Sequence, residues 1–109
     1  MIDYKEAQIE FQAITSSTPA TVYSVTSGKK LCVTGLWVNF NNSIGADSVC
    51  GIKDGSDNKL SVVVKASTSF SQFFDFSKRP MIFSDSVVAK TLSGGAGINA
   101  SIMMVGYEL

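Results

Sequence analysis

Chemistry needs side chains that can move a proton, attack an electrophile or hold a metal, and this chain is short of them. None of its 109 residues is histidine, which removes the usual general base, the usual activator of a nucleophile and the commonest transition-metal ligand. Catalysis would have to come from paired carboxylates or a Ser/Lys dyad. The nine acids and nine Lys and Arg residues sit mostly in turns or at strand ends, where a solvated surface is the plainer reading. The sequence therefore points away from an enzyme, and neither a cofactor nor a metal is expected.

Two loop motifs invite a ligand. Asp54-Gly55-Ser56-Asp57-Asn58 crowds hard oxygen donors as a calcium loop does. Yet Lys59 stands where an EF-hand needs its glycine, and Lys65 where it needs its bidentate Glu. A hairpin turn is the expectation, with a weak calcium loop as the alternative. Gly94-Gly95-Ala96-Gly97 lacks the Lys-Ser/Thr ending of a phosphate loop and precedes a strand instead of a helix, so Ser93 to Gly97 reads as a flexible connection. Cys32 and Cys50 both lie in strand-like segments, where free cysteine behaves as a small hydrophobe; two reduced thiols are expected, against one disulfide that spacing alone cannot support.

The aromatic residues carry more information. Trp37, Tyr23 and Tyr107 could stack against a sugar ring, although such residues more often serve a core or a subunit interface. Phe70, Phe73, Phe74, Phe76 and Phe83 form the densest cluster. Because strand side chains alternate, Phe74 and Phe76 face opposite to Phe73, and one of those faces must look away from the core. An outward Phe in a monomer is an exposed apolar patch, so a homo-oligomer interface is expected over Phe73, Phe74 and Phe76 together with Met103 and Val105. The alternative is that a loop covers it.

The elements that would position these residues are all strands. Short β-branched and aromatic runs alternate with Gly, Ser, Asn and Asp, and no window shows a helical period. Gln8 to Ile14 predicts a strand with Ile9, Phe11 and Ala13 on one buried face. Thr21 to Thr26 and the long run Leu31 to Asn41 follow, joined by the turn Ser27 to Lys30. Leu31 and Val33 share one phase and Leu36, Val38 and Phe40 the other, which predicts a β-bulge near Gly35. Asp47 to Lys53 and the alternating Leu60, Val62 and Val64 come next. After a loop at Ala66 to Ser71, Gln72 to Ser77 is a short aromatic strand, with Pro80 at its boundary. Met81 to Leu92 reads as one interrupted strand, and Ile98 to Tyr107 as the last. Ile102 to Val105, apolar on both faces, must be central or covered by a neighbouring subunit. About eight strands predict an all-β antiparallel sandwich of jelly-roll type, with an eight-stranded closed barrel as the rival.

Length and composition agree. The chain, residues 1–109, has the size of one domain, and its 45% apolar residues suffice for a core without staples. Net charge is zero, so nothing attracts a phosphate backbone and no nucleic-acid partner is expected. The start, MIDYKEAQIEF, is neither signal peptide nor anchor, and Val62 to Val64 and Ile102 to Val105 are far too short to span a bilayer. A soluble protein made in the cytoplasm is expected, and the opening Met1 suits a whole gene product.

The stretch TVYSVTSGKKLCVTGLWVNFNN, residues 21–42, places a strand, a Ser-Gly-Lys turn and a long bulged strand in succession. With the ending Val105-Gly106-Tyr107-Glu108, it resembles small jelly-roll structural proteins of tailed-bacteriophage virions. The likeness is one of strand punctuation and transfers no residue's role. It implies a head-decoration, head-fibre or tail-adhesion protein in the virion, assembled in the host cytoplasm. It also implies a homo-oligomer, a trimer being favoured, with other virion proteins as partners and a host surface glycan for an adhesion type. The competing function is a carbohydrate-binding or host-recognition module using exposed aromatics.

Overall fold

In the computed structural model, residues 2–94 and 97–109 are described, and they hold nine strands and no helix. Gly95 and Ala96 of the predicted glycine-rich connection lie outside the described residues, as does Met1. The strands are β1 (Asp3–Ile14), β2 (Ala20–Ser24), β3 (Leu31–Asn42), β4 (Ser48–Asp54), β5 (Asp57–Val64), β6 (Ser69–Asp75), β7 (Met81–Phe83), β8 (Ser86–Ser93) and β9 (Ile98–Glu108).

The strands form two antiparallel sheets. The larger runs β1-β9-β3-β6, with β7 also paired to β3; the smaller runs β2-β8-β4-β5. With the three-residue β7 set aside, the first strand pairs with the last, the second with the second-last, and so inward to the β4-β5 hairpin. That is one long hairpin wrapped over itself, the jelly-roll arrangement. The sheets keep separate edges, so the closed barrel is excluded.

Leu31, Val33, Leu36, Val38, Phe40, Ile102 and Met104 of the larger sheet meet Cys50, Ile52, Val64, Val87 and Ala89 of the smaller in one buried core. Strand alternation produces this inner face directly: along β9 every even-numbered residue from Ile98 to Glu108 is buried and every odd one partly exposed. The predicted bulge near Gly35 is present, where the pairing with β9 shifts between Val33 and Gly35. It brings Gly106 so close to β3 that any Cβ there would run into the Cys32 carbonyl oxygen. Cys32 and Cys50 are free, buried and in different sheets.

Three expectations are corrected. Phe11 and Ala13 do not share the buried face with Ile9, because β1 bulges between Ile9 and Gln12, leaving Phe11 70% exposed and turning Ile14 inward in place of Ala13. The aromatic strand starts at Ser69, inside the stretch expected to be loop, since Ser69, Ser71 and Phe73 pair with Asn41, Asn39 and Trp37. Met81 to Leu92 is two strands in opposite sheets. Its interruption at Ser84 and Asp85 is where the chain crosses from one sheet to the other, and a period-two pattern carries no sign of such a crossing.

Candidate interaction surface

The crossing strands are fixed by two buried carboxylates. Asp54, closing β4, accepts hydrogen bonds from the backbone N–H groups of Ser84 (2.8 Å), Asp85 (2.8 Å) and Ser86 (3.1 Å). Burial opposes its ionisation, but these three donors and the charge of Lys59 outweigh that and hold the carboxyl below its ordinary value. Glu108, closing β9, accepts from the Thr26 N–H (2.9 Å), the Thr26 hydroxyl (2.8 Å) and the Tyr23 hydroxyl (2.9 Å). The Thr26 N–H is the main reason its carboxyl also lies low. Asp54 is thus consumed as an internal latch across a tight turn in which it pairs with Asp57. The turn reading of Asp54 to Asn58 is the one the geometry favours over calcium. Among the described residues no group of three or more His, Cys, Asp or Glu is placed to hold a metal.

Apart from these latches, the candidate surface is the outer face of the larger sheet. Cross-strand register places Gln8, Met103, Trp37 and Phe73 in one row from β1 to β6. Trp37 and Phe73 are each 44% exposed, and their rings lie 4.2 Å apart, centroid to centroid, inclined at 36°. The row beside it runs through Val105 and Gly35. A Cβ on Gly35 would sit 3.0 Å from Val105 Cγ2 and 3.2 Å from Phe73 Cε1, so the glycine is what lets these side chains close over the strand. Tyr107 continues the same face, opposite Tyr4 and Cys32.

On the other side of Trp37 the face turns polar, with Ser101, Asn39 and Ser71 in register. Between this row and Trp37 lies a shallow hollow of about 260 Å³, rimmed by Gln8 and Glu10 of β1 and walled by Trp37 and Met103.

The structure divides the residues singled out from sequence. Phe73, Met103 and Val105 come together on this outer face, and Trp37 and Tyr107 share it. Phe74 and Phe76 do not. They are turned to the core side, half-buried, with rings stacked 6.1 Å apart, because Phe73 takes the outward phase opposite Trp37 and its neighbours must take the other. Tyr23 is also elsewhere: it lies in the smaller sheet with its hydroxyl given to Glu108, so the three candidate sugar-stacking aromatics do not make one platform. Gln8, Glu10, Asn39 and Ser101 escaped notice in the sequence because a polar residue in an alternating strand reads as solvated surface; only register shows that they flank Trp37.

No family model matches the chain, and no curated protein matches it. Solved structures do. A structure of Bacillus endospore appendages, which form a family of disulfide-linked pili, overlays with a TM-score of 0.54 at 15% identity, over 100% of this chain and 91% of that one. The Tobacco streak virus coat protein dimer overlays at 0.48 with 15% identity, over 96% of this chain and 84% of the other. At such identities the first likeness is one of fold, and it agrees with the antiparallel sandwich described above.

Proposed function

We propose that this chain is a non-enzymatic structural component of a phage virion, of decoration, fibre or adhesion type, and that its single jelly-roll domain, residues 1–109, works by self-association and docking. The observation that carries the reading is the row Met103, Trp37 and Phe73 with Val105 beside it, an apolar strip on the outer face of the larger sheet in which Trp37 and Phe73 are each 44% exposed. The wrapped-hairpin fold it shares with a pilus protein is in keeping with a building block. The sequence likeness to virion jelly rolls adds the location, the other virion proteins as partners and the preference for a trimer. Light scattering on the purified protein tests it: a stable trimer is the expected result, and compact monomer at micromolar concentration would remove the basis for self-association.

A second reading has one observation of its own. The hollow beside Trp37 offers an aromatic wall with amides, hydroxyls and the Glu10 carboxylate around it, which is the equipment for stacking and hydrogen-bonding one sugar ring. A host-recognition module would use it. Glycan-array binding that disappears in a folded Trp37→Ala variant is the expected result on this reading, and an array without hits disposes of it.

A further inference from the structure

Phe11 combines a strained backbone with an exposed side chain. Its backbone has φ of 46°, a left-handed conformation that clashes with a Cβ and is an outlier for a bulky residue. Its side chain is 70% exposed, so no burial offsets that strain. The geometry is nevertheless built. Between the pairs Ile9–Ile102 and Gln12–Ala100, Glu10 and Phe11 together oppose Ser101, and the Phe11 N–H donates to the Ser101 hydroxyl at 2.9 Å. A bulge that only blunts an edge strand against stray pairing is best made with Gly or Asn. A phenylalanine there calls for a gain from outside the chain.

The hollow adjoins this bulge and shares with it Ile9 and Glu10 next to Phe11 in β1, and Ser101. The hollow is open on the outer face and walled by Trp37 and Met103, so a ring arriving from outside can lie against both side chains. We propose that Phe11 is the anchor of the contact between copies of this chain, the ring of one copy seating against Trp37 and Met103 in the hollow of the next. This rests on the self-association reading and names its central contact: a strained, exposed knob and an aromatic-walled hollow carried by the same sheet, so that every copy presents both halves.

The test compares wild type with Phe11→Gly by sedimentation over a concentration series, alongside thermal unfolding at a dilution where wild type is monomeric. Glycine suits the left-handed backbone, so the variant is expected to melt at or above the wild-type temperature while its association weakens by on the order of 10-fold or more. Phe11→Gly combined with Trp37→Leu is expected to weaken association by much less than the product of the single effects. Wild type that associates while Phe11→Gly associates within about three-fold of it overturns the inference and leaves self-association standing. Additive effects in the double variant overturn the seating against Trp37. Wild type that stays monomeric removes the self-association reading and this inference with it.

Discussion

The two sheets of this sandwich present unlike surfaces to the outside. The outer face of the larger sheet carries Trp37, Phe73, Met103, Val105 and Tyr107, while Tyr4, Phe11 and Ile82 are among its exposed large hydrophobics. The outer face of the smaller sheet shows Lys53, Lys90, Ser61 and Thr21 beside Val49, Val88 and Leu92, and among the described residues its one exposed large hydrophobic is Val63. Both faces belong to the same fold and sit on the same core, so packing does not require the difference. A lysine-bearing face remains in water and discourages pairing, whereas an aromatic strip in water is retained where it is covered. The asymmetry thus separates residues that specify the fold from residues free to specify a partner.

The most disruptive way to break the comparison is to unlatch the sheets from each other. Asp54→Ala leaves the N–H groups of Ser84, Asp85 and Ser86 without their acceptor at the point where the chain changes sheet. A loss of roughly 2–4 kcal/mol is expected, read from the urea midpoint at unchanged slope, and Asp54→Asn should lose less because it keeps one acceptor oxygen. Next in size is Trp37→Ser with Phe73→Ser. Association is expected to weaken on the order of 100-fold by sedimentation, with the monomer's unfolding shifted far less. Val63→Ser, the counterpart on the smaller sheet, should leave the solution mass unchanged and stability within about 0.5 kcal/mol; an equal loss of association from both faces would cancel the distinction.

Acid offers a graded version. Asp54 and Glu108 both titrate below their ordinary values of 3.8 and 4.5 in the folded chain. The unfolded chain therefore binds more protons in that range, and stability rises with pH there. Their contribution is fully present above the unfolded values and is lost as pH falls through the folded ones. Denaturant midpoints should be flat across the range from about pH 5 to 8 where histidine would titrate in another protein, and should drop below about 4.5. Smallest is thiol labelling. The Cys50 thiol is pushed up to about 11 by burial and is fully buried, so a thiol reagent at neutral pH should modify it only at the rate at which the chain opens.

Much of the fold was legible because strand alternation is written locally. The two phases of Leu31–Val33 and Leu36–Phe40 located a bulge at Gly35, whereas in β9, apolar on both faces over Ile102 to Val105, alternation did not say which face is core. The crossing at Ser84 and Asp85 was not legible, since its cause is a carboxylate thirty residues away in sequence. The bulge at Phe11 was hidden for a similar reason: its hydrogen-bond partner Ser101 belongs to the last strand. Of the candidate surface, alternation set Phe74 and Phe76 opposite Phe73 but did not say which of the two faces points outward, so all three stayed in the expected interface until register placed Phe73 beside Trp37. Trp37 was legible as an exposed aromatic but not as the neighbour of Phe73, because that contact is set by register between strands far apart in the chain.

The pairing of first strand with last has a practical reading. Asp3 lies opposite Glu108, and Leu109 and Lys30 exchange backbone hydrogen bonds, so residues near both ends of the chain emerge side by side at one end of the sandwich. A peptide linker joining them, with new termini opened in the 65–68 loop at the opposite end, should give a permuted chain with the same two faces. Equally, the whole unit could be spliced into a loop of another protein as a plug-in with one point of attachment and two broad sides left clear.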